Sequence, residues 1–145
     1  MRKLSPSSSA ATLTHFYVRY KVCKTGPVTS DERRARNEAM FRELNERMKD
    51  IDDRLDMTAI GAPAAEVEEF MCECGRLDCA AALPMSREEY EEARSHPTYF
   101  VVLPDHVDPD IEDVVTKTDR FCVVKKKGPE EEAIARETDP RAPDR

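Results

Sequence analysis

The stretch FMCECGRLDC, residues 70–79, contains three cysteines in a C-x-C-x4-C arrangement. In an extended chain, residues two apart project to the same side, so Cys72 and Cys74 can face a single ion. Gly75 permits the positive φ of a tight turn, which returns Cys79 toward the same point. Zn²⁺ binds thiolates tetrahedrally at about 2.3 Å, so this segment, called the knuckle (residues 72–79), predicts a zinc site.

A structural zinc ion requires a fourth ligand. We favour His106, because it lies in a turn-forming stretch, residues 104–109, directly after a predicted strand. Asp105 or Asp108 can accept a hydrogen bond from the second ring nitrogen of His106 and so fix its tautomer. The alternatives are His96, Cys122, His15, Cys23, water or a ligand from a partner.

The cysteines also allow interpretations without structural zinc. Their number is five, which excludes a fully paired set of intramolecular disulfides. A Cys72–Cys74 disulfide would close a small, strained ring, whereas reduced or redox-active thiols are a second alternative. Glu73 lies between two ligands and is a candidate base, but strand alternation points it away from the face that the sulfurs share.

These observations lead to two main functional hypotheses, beside a third, a transcription-associated zinc protein that contacts a polymerase or regulator. The first is a non-enzymatic structural-zinc protein that acts as a small regulatory or protein-interaction module. The alternative is a thiol-based redox sensor or an open-site zinc enzyme. The chain has no C-x-x-C pair, no glycine-rich phosphate loop and no G-x-S-x-G motif, which favours the first hypothesis.

The knuckle resembles the post-SET zinc motif of protein lysine methyltransferases, in which C-x-C-x4-C supplies three ligands and a distant residue supplies the fourth. The resemblance covers residues 72–79 and implies a zinc-binding role for Cys72, Cys74 and Cys79. The Asn-His cofactor motif of those enzymes is absent, so the resemblance implies no methyltransferase activity.

A broader set of stretches, residues 36–47, 72–79, 89–91 and 118–121, is similar to an uncharacterised group of small soluble bacterial zinc-knuckle proteins. Members of this group usually have Gly before the histidine equivalent to His106, where this chain has Asp105. The similarity implies the extent of the module and carries no activity with it.

Residues 31–56 are predicted to form one long amphipathic helix, which Thr29-x-x-Glu32 can begin as a capping box. One apolar seam recurs at spacings of 3, 4, 3 and 4 and consists of Phe41, Leu44, Met48, Ile51 and Leu55. The seam can pack on the chain's own domain or on a second copy. We therefore predict Phe41, Leu44 and Met48 as partner-binding residues, with a protein partner or a homodimer as the expected partner.

Residues 67–126 are predicted to form a small zinc-binding domain, which makes the fold class α+β. We expect strands at 67–71, 99–103 and 121–124, the last ended in solvent by residues 125–127. A helix is expected after the capping box Ser86-x-x-Glu89, ending at residues 96–97. Pro109 predicts another short helix through residues 114–115, and residues 57–66, with Gly61 and Pro63, are predicted to be a connection.

Composition and charge lead to predictions about the core, the two ends of the chain and its partners. Hydrophobic residues make up only 39% of the 145 residues, so a metal would complete a thin core. Residues 1–30 have a net charge of +5 and are predicted to be a disordered arm, or residues 1–27 a mis-assigned start before Val28. A basic, Ser-rich and acid-poor composition also fits an organellar transit peptide. Residues 31–145 have a net charge of −12, which argues against direct binding to nucleic acid or an anionic membrane. Residues 127–145 are predicted to be a mostly disordered tail with room for one helical turn. The absence of an apolar signal segment predicts a cytoplasmic protein.

Overall fold

The computed structural model describes residues 29–58 and 66–143, with the side chains of 29–55 and 66–143. The predictions for the N-terminal arm, and for the connection around Gly61 and Pro63, fall largely or wholly outside the described residues. The described part is an α+β fold, as predicted: a long helix followed by short strands and helices.

The long helix α1 spans Ser30–Thr58 and begins at the predicted capping box. The Thr29 hydroxyl accepts a hydrogen bond from the Glu32 N–H at 3.2 Å, and the Glu32 carboxylate accepts one from the Thr29 N–H at 3.0 Å. The two residues thus satisfy amides that have no partner within the first turn.

Two antiparallel sheets flank the knuckle. Strands β1 (Glu68–Met71) and β2 (Ala82–Met85) form a two-stranded sheet in which Phe70 pairs with Leu83. Strands β3 (Tyr99–Val102), β4 (Glu112–Lys117) and β5 (Cys122–Lys126) form a second sheet in the order β3-β5-β4. The knuckle connects β1 to β2, so both ends of the cysteine segment are fixed by strands.

Helix α2 (Arg87–Ala93) begins at the predicted Ser86 capping box and places Tyr90 in the core. The ring of Tyr90 stacks on Phe70, with centroids 4.2 Å apart. The main cluster of buried apolar residues includes these two rings, the sheet residues and all three knuckle cysteines. The core of the domain is therefore built around the knuckle.

The predicted short helix after Pro109 is wrong. A turn at residues 109–111 leads directly into β4, which pairs with β5 over its whole length. Val114, Val115 and Thr116 are β-branched, so they fit an extended strand better than a helix. Val115 lies at a register shift between Val114 and Thr116, which is typical of a bulge on an edge strand.

The prediction of a mostly disordered tail is wrong for the described residues of 127–143. Helix α3 spans Pro129–Glu137 and buries Ala135, and Asp139 after it is buried as well. Polar contacts order this segment, since the Arg94 guanidinium binds the Asp139 carboxylate and Arg141 binds Glu91 through two hydrogen bonds of 2.9 Å. This segment has few large apolar residues, and its composition gives no indication of these distant polar partners.

Helix α1 packs on the domain through its polar face. Of the five buried side chains described in α1, only Ala39 is apolar; the others are Glu38, Arg42, Asn45 and Glu46. The apolar seam therefore does not provide the main packing surface on the chain's own domain, because Leu44, Ile51 and Leu55 are exposed. Phe41 and Met48 are partly buried.

A buried ion pair explains part of this polar packing and corrects another prediction. Lys126, expected to end β5 in solvent, is buried, and its ammonium lies 2.9 Å from the Glu38 carboxylate and 2.7 Å from the Glu112 carboxylate. Burial raises the pKa of Glu38, and the nearby Lys126 charge opposes that effect. The charged groups thus join α1 to β4 and β5.

Candidate metal centre

The structure brings Cys72, Cys74, Cys79 and His106 together. Their four ligand atoms all lie within 4.8 Å of one another. The Nδ1 atom of His106 is 3.6 Å from the sulfur of Cys72 and 3.4 Å from those of Cys74 and Cys79. A tetrahedron with Zn–S bonds of 2.3 Å and a Zn–N bond of 2.0–2.1 Å has S–N edges of about 3.5 Å. The three S–N distances therefore already match those around a tetrahedral ion.

The two sheets position these ligands. The Cys72 N–H donates to the Ala81 carbonyl at 2.9 Å, which fixes the knuckle beside β2. The Leu103 N–H, directly after β3, donates to the Cys72 sulfur at 3.3 Å. The His106 N–H closes a turn on the Leu103 carbonyl at 2.9 Å, so the turn that follows β3 carries the imidazole to the sulfurs.

Gly75 makes the turn of the knuckle with φ +68°, as the sequence predicts. It also permits close packing by α1. A Cβ at this position would lie 2.6 Å from Cγ of Glu38 and 2.8 Å from both Cγ and the carbonyl oxygen of Arg34. The Asn37 side chain donates to the Gly75 carbonyl at 3.3 Å. The knuckle and α1 are therefore in direct contact.

The neighbouring thiols of the cluster shift one another's pKa values. A hydrogen bond from the Cys72 thiol lowers the pKa of Cys74 to about 5 and raises the pKa of Cys72 itself. Burial raises the pKa of Cys79. One thiolate is thus available at neutral pH, and a bound cation would favour the loss of the remaining protons.

Glu73 points away from the sulfurs, as strand alternation predicts, and is fully buried. Its carboxylate accepts hydrogen bonds from the Asn45 side chain at 2.9 Å and from the Val101 N–H at 3.0 Å, and the Tyr90 hydroxyl lies at 3.4 Å. Its own N–H donates to the Val101 carbonyl at 2.8 Å. Burial raises the pKa of Glu73, although the hydrogen bonds from Asn45 and Val101 and the nearby Arg94 charge oppose that effect. Glu73 therefore anchors the knuckle to α1 and β3 and does not face the ligands.

The other candidate ligands lie elsewhere. His96 is exposed, and its ring lies 4.4 Å from that of Tyr99. Cys122 is buried in β5, where burial raises its pKa, and it does not belong to the ligand cluster. His15 and Cys23 lie outside the described residues. Asp108, expected to orient His106, instead binds the Arg34 guanidinium at 2.6 Å.

Asn45 was missed by the sequence reasoning. Its amide nitrogen donates to the Met71 carbonyl at 2.9 Å, and its amide oxygen accepts the Met71 N–H at 2.7 Å. One side chain thus pairs with the backbone directly before Cys72 and with Glu73 directly after it. Asn45 is one of two asparagines among the charged residues of α1, and nothing in the sequence indicates this role.

No family model matches the chain, and neither the curated proteins nor the solved structures include a significant match. Within the residues described, no helix combines the length and the apolar composition needed to cross a membrane.

Proposed function

We propose that the chain is a non-enzymatic zinc protein whose metal stabilises a small protein-interaction module. The observation that carries the proposal is the convergence of three sulfurs and one imidazole nitrogen within 4.8 Å. Three cysteines and one histidine are a common ligand set of structural zinc sites. The resemblance of the knuckle to the post-SET motif supports the same metal.

A structural role agrees with the chemistry of the site. Four protein ligands complete the tetrahedron and leave no position for a substrate. The sulfurs of Cys72, Cys74 and Cys79 belong to residues that are only 1%, 1% and 8% exposed, which limits access by oxidants and substrates. Zinc would join the knuckle to the turn after β3 and so supply stability that the short strands alone lack. We place the protein in the cytoplasm, where thiols stay reduced and can bind metal.

Elemental analysis of protein purified without added metal tests the proposal. We expect one zinc per chain in the native protein and in Cys122→Ser, the matched control that removes a buried thiol outside the cluster. Cys74→Ser should lose the zinc. If that variant does not fold, titrating the native protein with a chelator should remove zinc and ordered structure together, and zinc should restore both. A folded, metal-free native protein would contradict the proposal.

The redox-sensor alternative makes a different prediction. A sensor would release its zinc at low peroxide concentrations, because oxidised thiolates no longer bind the ion. Because the three cysteines are buried, we expect peroxide to release the zinc slowly. The rate should be close to that at which other thiol reagents react, if these reach the thiols only after unfolding. Rapid, reversible release by peroxide would favour the sensor.

A further inference from the structure

The apolar side of α1 faces away from the domain. Met40, Leu44 and Ile51 are 52%, 41% and 55% exposed. At 3.6 residues per turn these three residues, together with Met48 and Leu55, lie within about 40° of the line through Leu44. The outward face of α1, as we call these five residues, is thus a continuous apolar strip about four turns long.

The opposite side of the same helix is already occupied. Arg42 and Glu46 lie nearly opposite Leu44 on the helix, and both are buried against the domain. A second molecule can therefore approach the outward face without meeting the chain's own sheets.

The charges beside the outward face indicate which molecule fits. Glu43, Arg47, Asp50 and Arg54 lie on one flank of the strip, in the order acid, base, acid, base. Reversing this order gives base, acid, base, acid. Two copies of α1 in antiparallel orientation would consequently place Glu43 opposite Arg54 and Arg47 opposite Asp50, and each pair would occur twice. The intrachain Arg47–Glu43 bridge of 2.6 Å lies at the surface and can join this network.

We infer that the partner of the outward face is a second copy of the chain, bound antiparallel through α1. These pairings place the two-fold axis between residues 48 and 49. Leu44 then contacts Ile51 and Leu55 of the second copy, and the two Met48 side chains meet near the axis. The helices overlap over residues 39–58, about 30 Å. The second copy would be the partner of the proposed interaction module, and in this respect the dimer rests on the proposed function. No metal is proposed at the interface between the two copies.

Sedimentation equilibrium of the full native chain tests the dimer, with zinc measured in the same sample. We expect a mass twice the 16.5 kDa of the chain. Leu44→Glu puts two charges into the interface and should raise the dissociation constant by roughly a hundredfold or more. Val114→Glu is the matched control, because Val114 is 48% exposed on the edge strand β4, outside both α1 and the knuckle. That control should sediment like the native protein.

Oxidative cross-linking tests the orientation. Met48→Cys should form an interchain disulfide, because residue 48 lies beside the axis. Leu44→Cys should not, because the two copies of residue 44 would lie about 13 Å apart along the helices, beyond the reach of a disulfide. The native chain, treated in the same way, accounts for its own cysteines.

The outcomes separate this inference from the proposed function. A native chain that is monomeric at all concentrations, or a Leu44→Glu variant that dimerises as well as the native protein, overturns the dimer. Cross-linking through residue 44 overturns the antiparallel arrangement. A monomer with one zinc per chain leaves the proposed function intact, whereas a dimer without zinc refutes the proposed function and leaves the dimer standing.

Discussion

Replacing Arg42 with alanine tests whether polar contacts hold α1 on the domain. The Arg42 guanidinium donates to the carbonyls of Pro97 and Ala135 at 2.7 Å and to the Thr138 hydroxyl at 3.1 Å. It also lies 4.4 Å from the centre of the Phe100 ring. The Ala135 carbonyl belongs to the last turn of α3, where a cation stabilises unpaired carbonyls.

The expected loss follows from these contacts. A buried acceptor that loses its partner costs about 1–3 kcal/mol. Arg42→Ala leaves the buried Ala135 carbonyl and the partly buried Pro97 carbonyl without this donor. Burial lowers the pKa of Arg42, so removing the charge returns part of its desolvation cost. We expect the free energy of unfolding to fall by about 3 kcal/mol. With a urea slope of about 2 kcal/mol per molar, the midpoint should fall by about 1.5 M.

The assay is urea unfolding followed by far-ultraviolet circular dichroism at saturating zinc. Arg36→Ala is the matched control, because it makes the same substitution at an exposed position of the same helix. It should leave the midpoint nearly unchanged. Arg42→Lys should recover only part of the loss, since an ammonium cannot present the planar fork that spans the two carbonyls. Equal midpoints for Arg42→Ala and Arg36→Ala would show that the Arg42 contacts do not stabilise the packing of α1.

Two further substitutions test other contacts. Gly75→Ala should destabilise the zinc-loaded protein by about 2–4 kcal/mol, because it adds backbone strain and a clash with α1 at the Arg34 carbonyl. An unchanged urea midpoint would contradict this close approach. Hydrogen bonds from Arg141 lower the pKa of Glu91 from its ordinary 4.5 to about 2. The stability that Glu91 contributes is therefore complete above pH 4.5 and is lost as the pH falls toward 2. Glu91→Gln should cost about 0.5–1 kcal/mol at pH 7, since the pair is solvent-exposed, and progressively less in acid. A difference from the native protein that does not change between pH 7 and pH 3 would contradict the assignment.

The three cysteine ligands could be predicted from the sequence, because they lie close together along the chain. Cys72, Cys74 and Cys79 fall within eight residues, and Gly75 provides the turn between them. The fourth ligand atom could only be ranked among alternatives, because His106 follows Cys79 by 27 residues. Its position depends on β3 and on the turn after it, which the sequence does not place relative to the knuckle.

The packing of α1 could not be predicted, because its partners are distant in the sequence. Hydrophobic spacing identifies the seam as the natural packing face, whereas the structure buries the opposite side. The Arg42 guanidinium donates to carbonyls 55 and 93 residues away in the sequence. The Glu46 carboxylate accepts a hydrogen bond of 2.6 Å from Nε of Arg94. Charged residues on a helix usually indicate a solvated face, so only the tertiary structure distinguishes these buried charges from exposed ones.

X-ray absorption at the zinc edge counts the atoms around the ion in the native protein, and it is the sharpest test of the claim that Cys72, Cys74, Cys79 and His106 bind zinc. We expect three sulfurs at about 2.3 Å and one nitrogen at about 2.0 Å. His106→Ala should retain the three sulfurs and replace the nitrogen with an oxygen from water. A native shell of four sulfurs, a shell with fewer than three sulfurs, or the absence of zinc would contradict the claim.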